Sequence, residues 1–221
     1  MIMKNIIITG ASRGIGRATV ETLSEQENVK ILAIARSKKH LEELKNTLSS
    51  KTELLIYPFD LSQGNYEDLK NYITKTFNGI DLLINNAGGL IVKPFMEMTS
   101  EDFDFQFQIN AKSVFELSKI CIPLMPKGSH IVNISSMGGF QGSLKFPGLS
   151  LYSASKGAVS ILTESLAAEL VEQGISVNAL AFGAVDTEML RSAFPNYQAH
   201  LSAQEMGAYL ADFALNKAKY Y

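Results

Sequence analysis

The chain has 221 residues, 46% of them hydrophobic and 19% charged, which is enough to bury one sizeable core but short for two full domains, so a single domain over 1–221 is expected. Twenty Lys and Arg against 22 Asp and Glu leave a net charge of -2 without any block of like charge, which argues against nucleic acid as a partner. The one cysteine, Cys121, excludes an internal disulfide, no Cys/His cluster has the spacing of a metal site, and no apolar stretch reaches the length of a membrane span. A reducing, cytoplasmic setting fits this composition.

In chain order, short apolar runs alternate with longer segments of helical period. The first run, residues 4 to 9 (KNIIIT), is too short for a signal h-region and reads as a strand. A helix over 14–27 follows, then a strand at 30–35, a helix at 38–49, a strand at 53–59 and a helix at 65–77. The strand at 80–84 precedes a long helix at 100–125. After the strand at 129–135 comes a loop, 137–151, with four glycines and a proline. A helix at 152–172, a strand at 175–181 and a helix at 202–216 complete the order. Strands that are apolar on both faces and alternate with helices predict an α/β fold, a doubly wound parallel sheet of six to seven strands with helices on both faces. Ligands of such sheets sit beyond the carboxyl ends of the strands.

The first of those ends carries Thr9-Gly10-Ala11-Ser12-Arg13-Gly14-Ile15-Gly16. Glycines between a strand and a helix allow a tight turn and close backbone approach to a pyrophosphate, and the helix N-terminus supplies free N–H donors. The end of the second strand, Ala35-Arg36-Ser37, has no carboxylate to take a ribose 2′-hydroxyl. Arg36 and Arg13, two of only four arginines in the chain, can pair with a 2′-phosphate, which favours NADP(H) over NAD(H). Asp60 and Leu61, after the third strand, are placed to border an adenine, although Asp60 can equally cap a helix.

Two pairs match Tyr-x-x-x-Lys, Tyr66 with Lys70 and Tyr152 with Lys156. Such pairs share a helix face and arise readily by chance, so position has to decide between them. Tyr66 opens a charged amphipathic helix and reads as a solvated or packing residue. Tyr152 opens a helix of small residues just past the glycine-rich loop and Ser136. A phenol of ordinary pKa near ~10 works as a catalyst at neutral pH only beside a cation, which Lys156 can supply. Ser136 can then donate to an oxygen on which charge develops.

With TGASRGIG at 9–16, Asp60-Leu61, Asn85-Asn86-Ala87-Gly88, Asn110, Ser136 in SSMGG, Tyr152-Ser153-Ala154-Ser155-Lys156 and Val177-Asn178, the chain resembles the short-chain dehydrogenase/reductase family over nearly its whole length. The resemblance implies a Rossmann fold, and an NAD(P)-dependent oxidoreductase acting on a carbonyl or alcohol. It implies a catalytic tetrad of Asn110, Ser136, Tyr152 and Lys156, with Asn110 holding a water that links Lys156 to solvent. Asn86, Ala87 and Gly88 are then expected along the cofactor, Asn85 in the sheet, and Gly183, Val185 and Thr187 near the nicotinamide. Loops 137–151 and 184–201 are expected to shape the substrate site, and within the second the segment from Met189 to His200 reads as a lid or a packed loop. A homodimer or homotetramer through helices 107–125 and 152–172 is also implied.

Three departures stand against the family pattern. Phe182-Gly183 replaces Pro-Gly, the interval from Ser136 to Tyr152 is long, and KAKYY stands where a seventh strand is expected. The alternative is a non-catalytic NADP-binding sensor or scaffold of the same fold, which predicts damage to a tetrad that is here complete.

Overall fold

The structure, a computed structural model, describes residues 3–48 and 52–217. Its main sheet contains β1 (Lys4–Thr9), β2 (Val29–Ala35), β3 (Glu53–Pro58), β4 (Leu82–Asn85), β5 (His130–Ser136) and β6 (Ser176–Phe182). All pairings are parallel and the spatial order is β3-β2-β1-β4-β5-β6. The winding reverses between β1 and β4, and a crevice opens beyond the strand ends at that switch point.

The strands read as unbroken apolar runs because both faces of the sheet are covered. Successive side chains of a strand point to opposite faces. Ile6 and Ile8 therefore enter one core with Val20, Leu41, Leu44 and Leu210, contributed by α1 (Gly14–Leu23), α2 (Lys38–Thr47) and α8 (Ala203–Asp212). Ile7 enters the other with Leu69, Ile73, Leu117 and Leu170, from α3 (Tyr66–Thr76), α5 (Ser113–Cys121) and α6 (Ser150–Leu170). Cys121 is buried in this second core. No helix among the described residues is long and apolar enough to cross a membrane.

Several elements differ from the sequence expectation. The helix expected over 14–27 stops at Leu23, where the Ser24 hydroxyl donates to the Glu21 carbonyl at 2.6 Å and Asn28 turns the chain at φ +59. The helix expected over 100–125 is α4 (Ser100–Phe107), a π turn at Gln108–Lys112, and α5. The wide turn falls where the Asn110 amide binds Gly89, and such single-turn insertions concentrate at functional sites. Segment 184–201 is not wholly loop: β7 (Val185–Asp186) pairs with β8 (Leu201–Ser202), and α7 (Glu188–Ala193) lies between them. Residue 49 of the expected second helix and residues 218–221, where the seventh strand is expected to be missing, lie outside the described residues.

Candidate active site

Beyond the carboxyl ends of the strands lies a cavity of about 900 Å³. Its glycine loop is built without room for side chains. Gly10 and Gly14 have φ of +68 and +56, the left-handed region that glycine enters at no steric cost. A β-carbon on Gly10 would stand 2.8 Å from Asn86 Nδ2, and one on Gly16 2.4 Å from both Asn86 Nδ2 and the Gly10 carbonyl oxygen. Asn86 holds this layer together. Its Nδ2 donates to the Thr9 carbonyl at 3.0 Å, while Thr9 Oγ1 accepts from the N–H groups of Asn86 at 3.1 Å and Ala87 at 3.0 Å. The residue before α1, Arg13, makes no side-chain cap, so the first-turn N–H groups suit an anion lying against bare backbone. This cradle fits the pyrophosphate of a dinucleotide.

On the β2 side the cavity is lined by Arg36, Ser37 and His40. Ser37 caps α2, accepting from the His40 N–H at 3.3 Å, and the first turn of α2 holds Lys38 and Lys39 without an acid. Arg13 lines the cavity too, with its Nη1 2.8 Å from Glu188 Oε2 on α7. Leu61 is in the wall beside Phe59. Asp60 does not cap a helix: its Oδ1 accepts from Ser62 N at 2.9 Å and Ser62 Oγ at 2.6 Å, closing a local turn. The cap of α3 is Asn65, which accepts from Glu67 N at 3.1 Å.

The other end is set by α6. Lys156 is 4% exposed, and its Nζ donates to the Ile134 carbonyl at 2.7 Å. Burial brings its ammonium down from 10.5 to about 8. One turn earlier the Tyr152 phenol lines the cavity. Burial raises its pKa, and a hydrogen bond with Ser136 offsets part of that rise. Lys156 thus lies beneath the site one helical turn from the phenol, whose burial opposes ionisation. Ser136 lines the cavity at the end of β5, with its Oγ accepting from Gly138 N at 3.1 Å. Ser135 faces inward, donating to the Lys156 carbonyl at 2.8 Å. Small residues let α6 lie this close: a β-carbon on Gly139 would be 2.5 Å from the Lys156 carbonyl carbon.

Asn110 is fully buried beneath the cavity. Its Oδ1 accepts from Gly89 N at 2.9 Å, and its Nδ2 donates to the Gly89 carbonyl and to Ser155 Oγ, both at 3.0 Å. A β-carbon on Gly88 would meet Asn110 Oδ1 at 2.9 Å and Lys156 Nζ at 3.3 Å. Asn85 donates to Asn133 inside the sheet at 2.8 Å. Thr187 accepts from Leu190 N at 3.3 Å, capping α7 beside Val185 and Gly183 in the cavity wall. The rival Tyr66 donates to the Leu61 carbonyl at 2.7 Å and packs edge-on against Phe59.

Of the site residues read from the sequence, Asp60 and Asn110 do not line the cavity and the rest do. Phe59, His40 and Glu188 line it without having been singled out. Phe59 directly follows β3, and His40 lies in the first turn of α2, the helix after β2. Glu188 follows Thr187 at a helix start that the loop reading of 184–201 passed over.

A family profile described as "short chain dehydrogenase" matches residues 4–198. A pig protein named carbonyl reductase [NADPH] 2 is 35% identical over 189 residues, covering 84% of this chain and 73% of its own. An uncharacterized oxidoreductase of Staphylococcus aureus is 29% identical over 220 residues, covering 98% of this chain and 93% of its own. Among solved structures, a short-chain dehydrogenase/reductase from Serratia marcescens is similar with a TM-score of 0.87 at 26% identity, covering 100% of this chain and 94% of its own.

Proposed function

The chain belongs to the short-chain dehydrogenase/reductase family, and from that premise we propose that it is an NADP(H)-dependent oxidoreductase interconverting a carbonyl compound and an alcohol, with Tyr152 as general acid and base. The observation that carries this reading is that Ser136 and Tyr152 line one cavity together with the buried Lys156, which lies one helical turn from the tyrosine. A bound nicotinamide supplies or accepts the hydride. Ser136 donates to the carbonyl oxygen as charge develops there, and Tyr152 delivers the proton to the same oxygen. The neutral phenol donates the proton in reduction, and its phenolate accepts one in the reverse direction.

Lys156 binds the cofactor ribose and returns positive charge to the phenol's surroundings, while its own neutral form near pH 8 and above weakens that support. Asn110 is a positioning residue, because its amide is spent on Gly89 and Ser155. Its side chain retains only one free acceptor direction for the water expected of it. Arg36 and the lysines that open α2, together with Arg13, support the 2′-phosphate and hence NADP(H). Gly183, Val185 and Thr187 face the nicotinamide end. Phe115 on α5 and Ile161 on α6, both exposed, are assigned to contact with a second copy of the chain. Sedimentation of Ile161→Glu at the concentration where the wild type is oligomeric tests that contact, and an unchanged oligomer contradicts it.

Fluorescence titration with NADPH and with NADH tests the cofactor reading without knowledge of the substrate. Much tighter binding of NADPH is expected. Preference for NADH overturns the roles of Arg13 and Arg36, and binding of neither overturns the function.

A further inference from the structure

Resting on the carbonyl chemistry just proposed, we infer that the substrate is an uncharged, hydrophobic carbonyl compound with an apolar chain several carbons long, which runs from Tyr152 past Phe146 into a second groove. Charge is segregated along the main cavity. Arg13, Arg36 and His40 come from the segments after β1 and β2, whereas the segments after β4, β5 and β6 contribute Leu90, Phe105, Met137, Leu190, Phe194 and Tyr197 to its walls. Two charged side chains of this second half line the cavity among the described residues. Lys156 lies buried beneath the tyrosine, and Glu188 is paired with Arg13. A carboxylate or phosphate on the substrate therefore meets no free cation there, and the hydroxyls of a polyol would leave water for apolar walls.

The second groove, about 550 Å³, shares Phe146 and Leu149 with the main cavity and is also lined by Pro94 and Phe95. Its two walls are fastened to each other. Lys93 N donates to the Gly148 carbonyl at 3.2 Å, and Ser150 Oγ lies 3.2 Å from Met98 Sδ. Gly148, at φ +80, brings its backbone so near that a β-carbon would be 3.0 Å from Val92 Cγ1. Lys145 lines this groove, but its ammonium folds back onto the Phe140 carbonyl at 2.7 Å and Ser143 Oγ at 2.7 Å. Around the mouth, Phe95 is 69% and Phe146 57% exposed. Contiguous exposed apolar surface of this kind marks a ligand groove, and its continuity with the tyrosine's cavity identifies the occupant as the tail of the reacting molecule.

The test is the dependence of kcat/KM on chain length for methyl ketones from butanone to 2-dodecanone with NADPH, beside a 2-oxo acid and dihydroxyacetone. The inference expects a rise of up to about fourfold per added methylene, and poor turnover of the charged and polyhydroxy compounds. In Ser150→Trp, which fills the groove, the rise ends at shorter chains while NADPH affinity stays the same. Turnover with no dependence on length, or preference for the oxo acid or the triose, overturns the inference and leaves the carbonyl reading intact. Failure to turn over any carbonyl overturns that reading instead. The groove is then judged by calorimetric titration of the NADP⁺-loaded protein with 1-decanol, 1-butanol and glycerol: tighter binding of decanol supports it, and equal or absent binding refutes it.

Discussion

Replacing Lys156 by Met separates what the site needs from what the fold tolerates. The ammonium is buried, and its pKa falls from 10.5 to about 8. The unfolded chain therefore holds a proton on this lysine up to pH 10.5 and the folded chain only to about 8, so stability rises with pH between these values. At pH 7 the buried charge costs about 3 kcal/mol relative to a lysine left in water. Methionine removes that cost and also removes the charge-assisted bond to the Ile134 carbonyl, about 1.5–3 kcal/mol. The variant is thus expected to be as stable as the wild type at pH 7, or more stable by up to about 1.5 kcal/mol. Between pH 7 and 9.5 the wild type should gain about 2 kcal/mol relative to Lys156→Met. Urea unfolding of both proteins across that range, without added cofactor, reads the difference and cancels the titration of the remaining groups. A gap that stays constant with pH would show that Lys156 titrates as an ordinary lysine and that its burial carries no such cost.

Glu188→Gln frees Arg13 from its exposed ion pair, worth about 0.2–1 kcal/mol, so NADPH should bind up to about fivefold tighter with NADH unchanged. Equal effects on both cofactors in the fluorescence titration would remove Arg13 from the 2′-phosphate site. Gly16→Ala drives a methyl to 2.4 Å from Asn86 Nδ2 and the Gly10 oxygen, and should cost about 1–3 kcal/mol of stability together with most cofactor affinity. Wild-type behaviour in both assays argues against the tight cradle. His130 is held between the Ala214 carbonyl at 3.0 Å and Asn178 Oδ1 at 2.9 Å, and burial lowers its pKa below 6.5. The unfolded chain takes up the proton first as pH falls below 6.5, so stability is lost there. His130→Gln should lose less than the wild type between pH 7 and 5, and parallel acid limbs in chemical unfolding would contradict this.

The sheet was legible because β1, β2, β4 and β5 are buried on both faces and therefore read as unbroken apolar runs. The glycine loop and the Tyr152–Lys156 helix were legible because steric needs fix residue type: a left-handed φ at Gly10 and Gly14, and backbone contact at Gly139. The π turn at Gln108–Lys112 leaves the helical period nearly unchanged, so its sequence reads as one long helix. β7 and β8 are two residues each, below the length at which alternation shows. Asp60 illustrates a different gap. One oxygen of its carboxylate binds Ser62, two residues on, and neither composition nor spacing distinguishes that turn from a helix cap. The Arg13–Glu188 pair and the shared wall of Phe146 and Leu149 depend on segments brought together by the tertiary fold, so no local pattern announces them.

In the proposed reaction Tyr152 transfers the proton in an NADPH-dependent carbonyl reduction. NADPH consumption with a panel of ketones and aldehydes, measured for the wild type and for Tyr152→Phe, tests it most directly when both proteins are first shown to bind NADPH. Turnover by the wild type is expected, with a loss of about 10²- to 10⁴-fold in the variant and NADPH affinity unchanged. A wild type that binds NADPH yet reduces none of the carbonyls, or a variant as active as the wild type, would contradict it, and the first of these results would leave a cofactor-binding protein without catalysis.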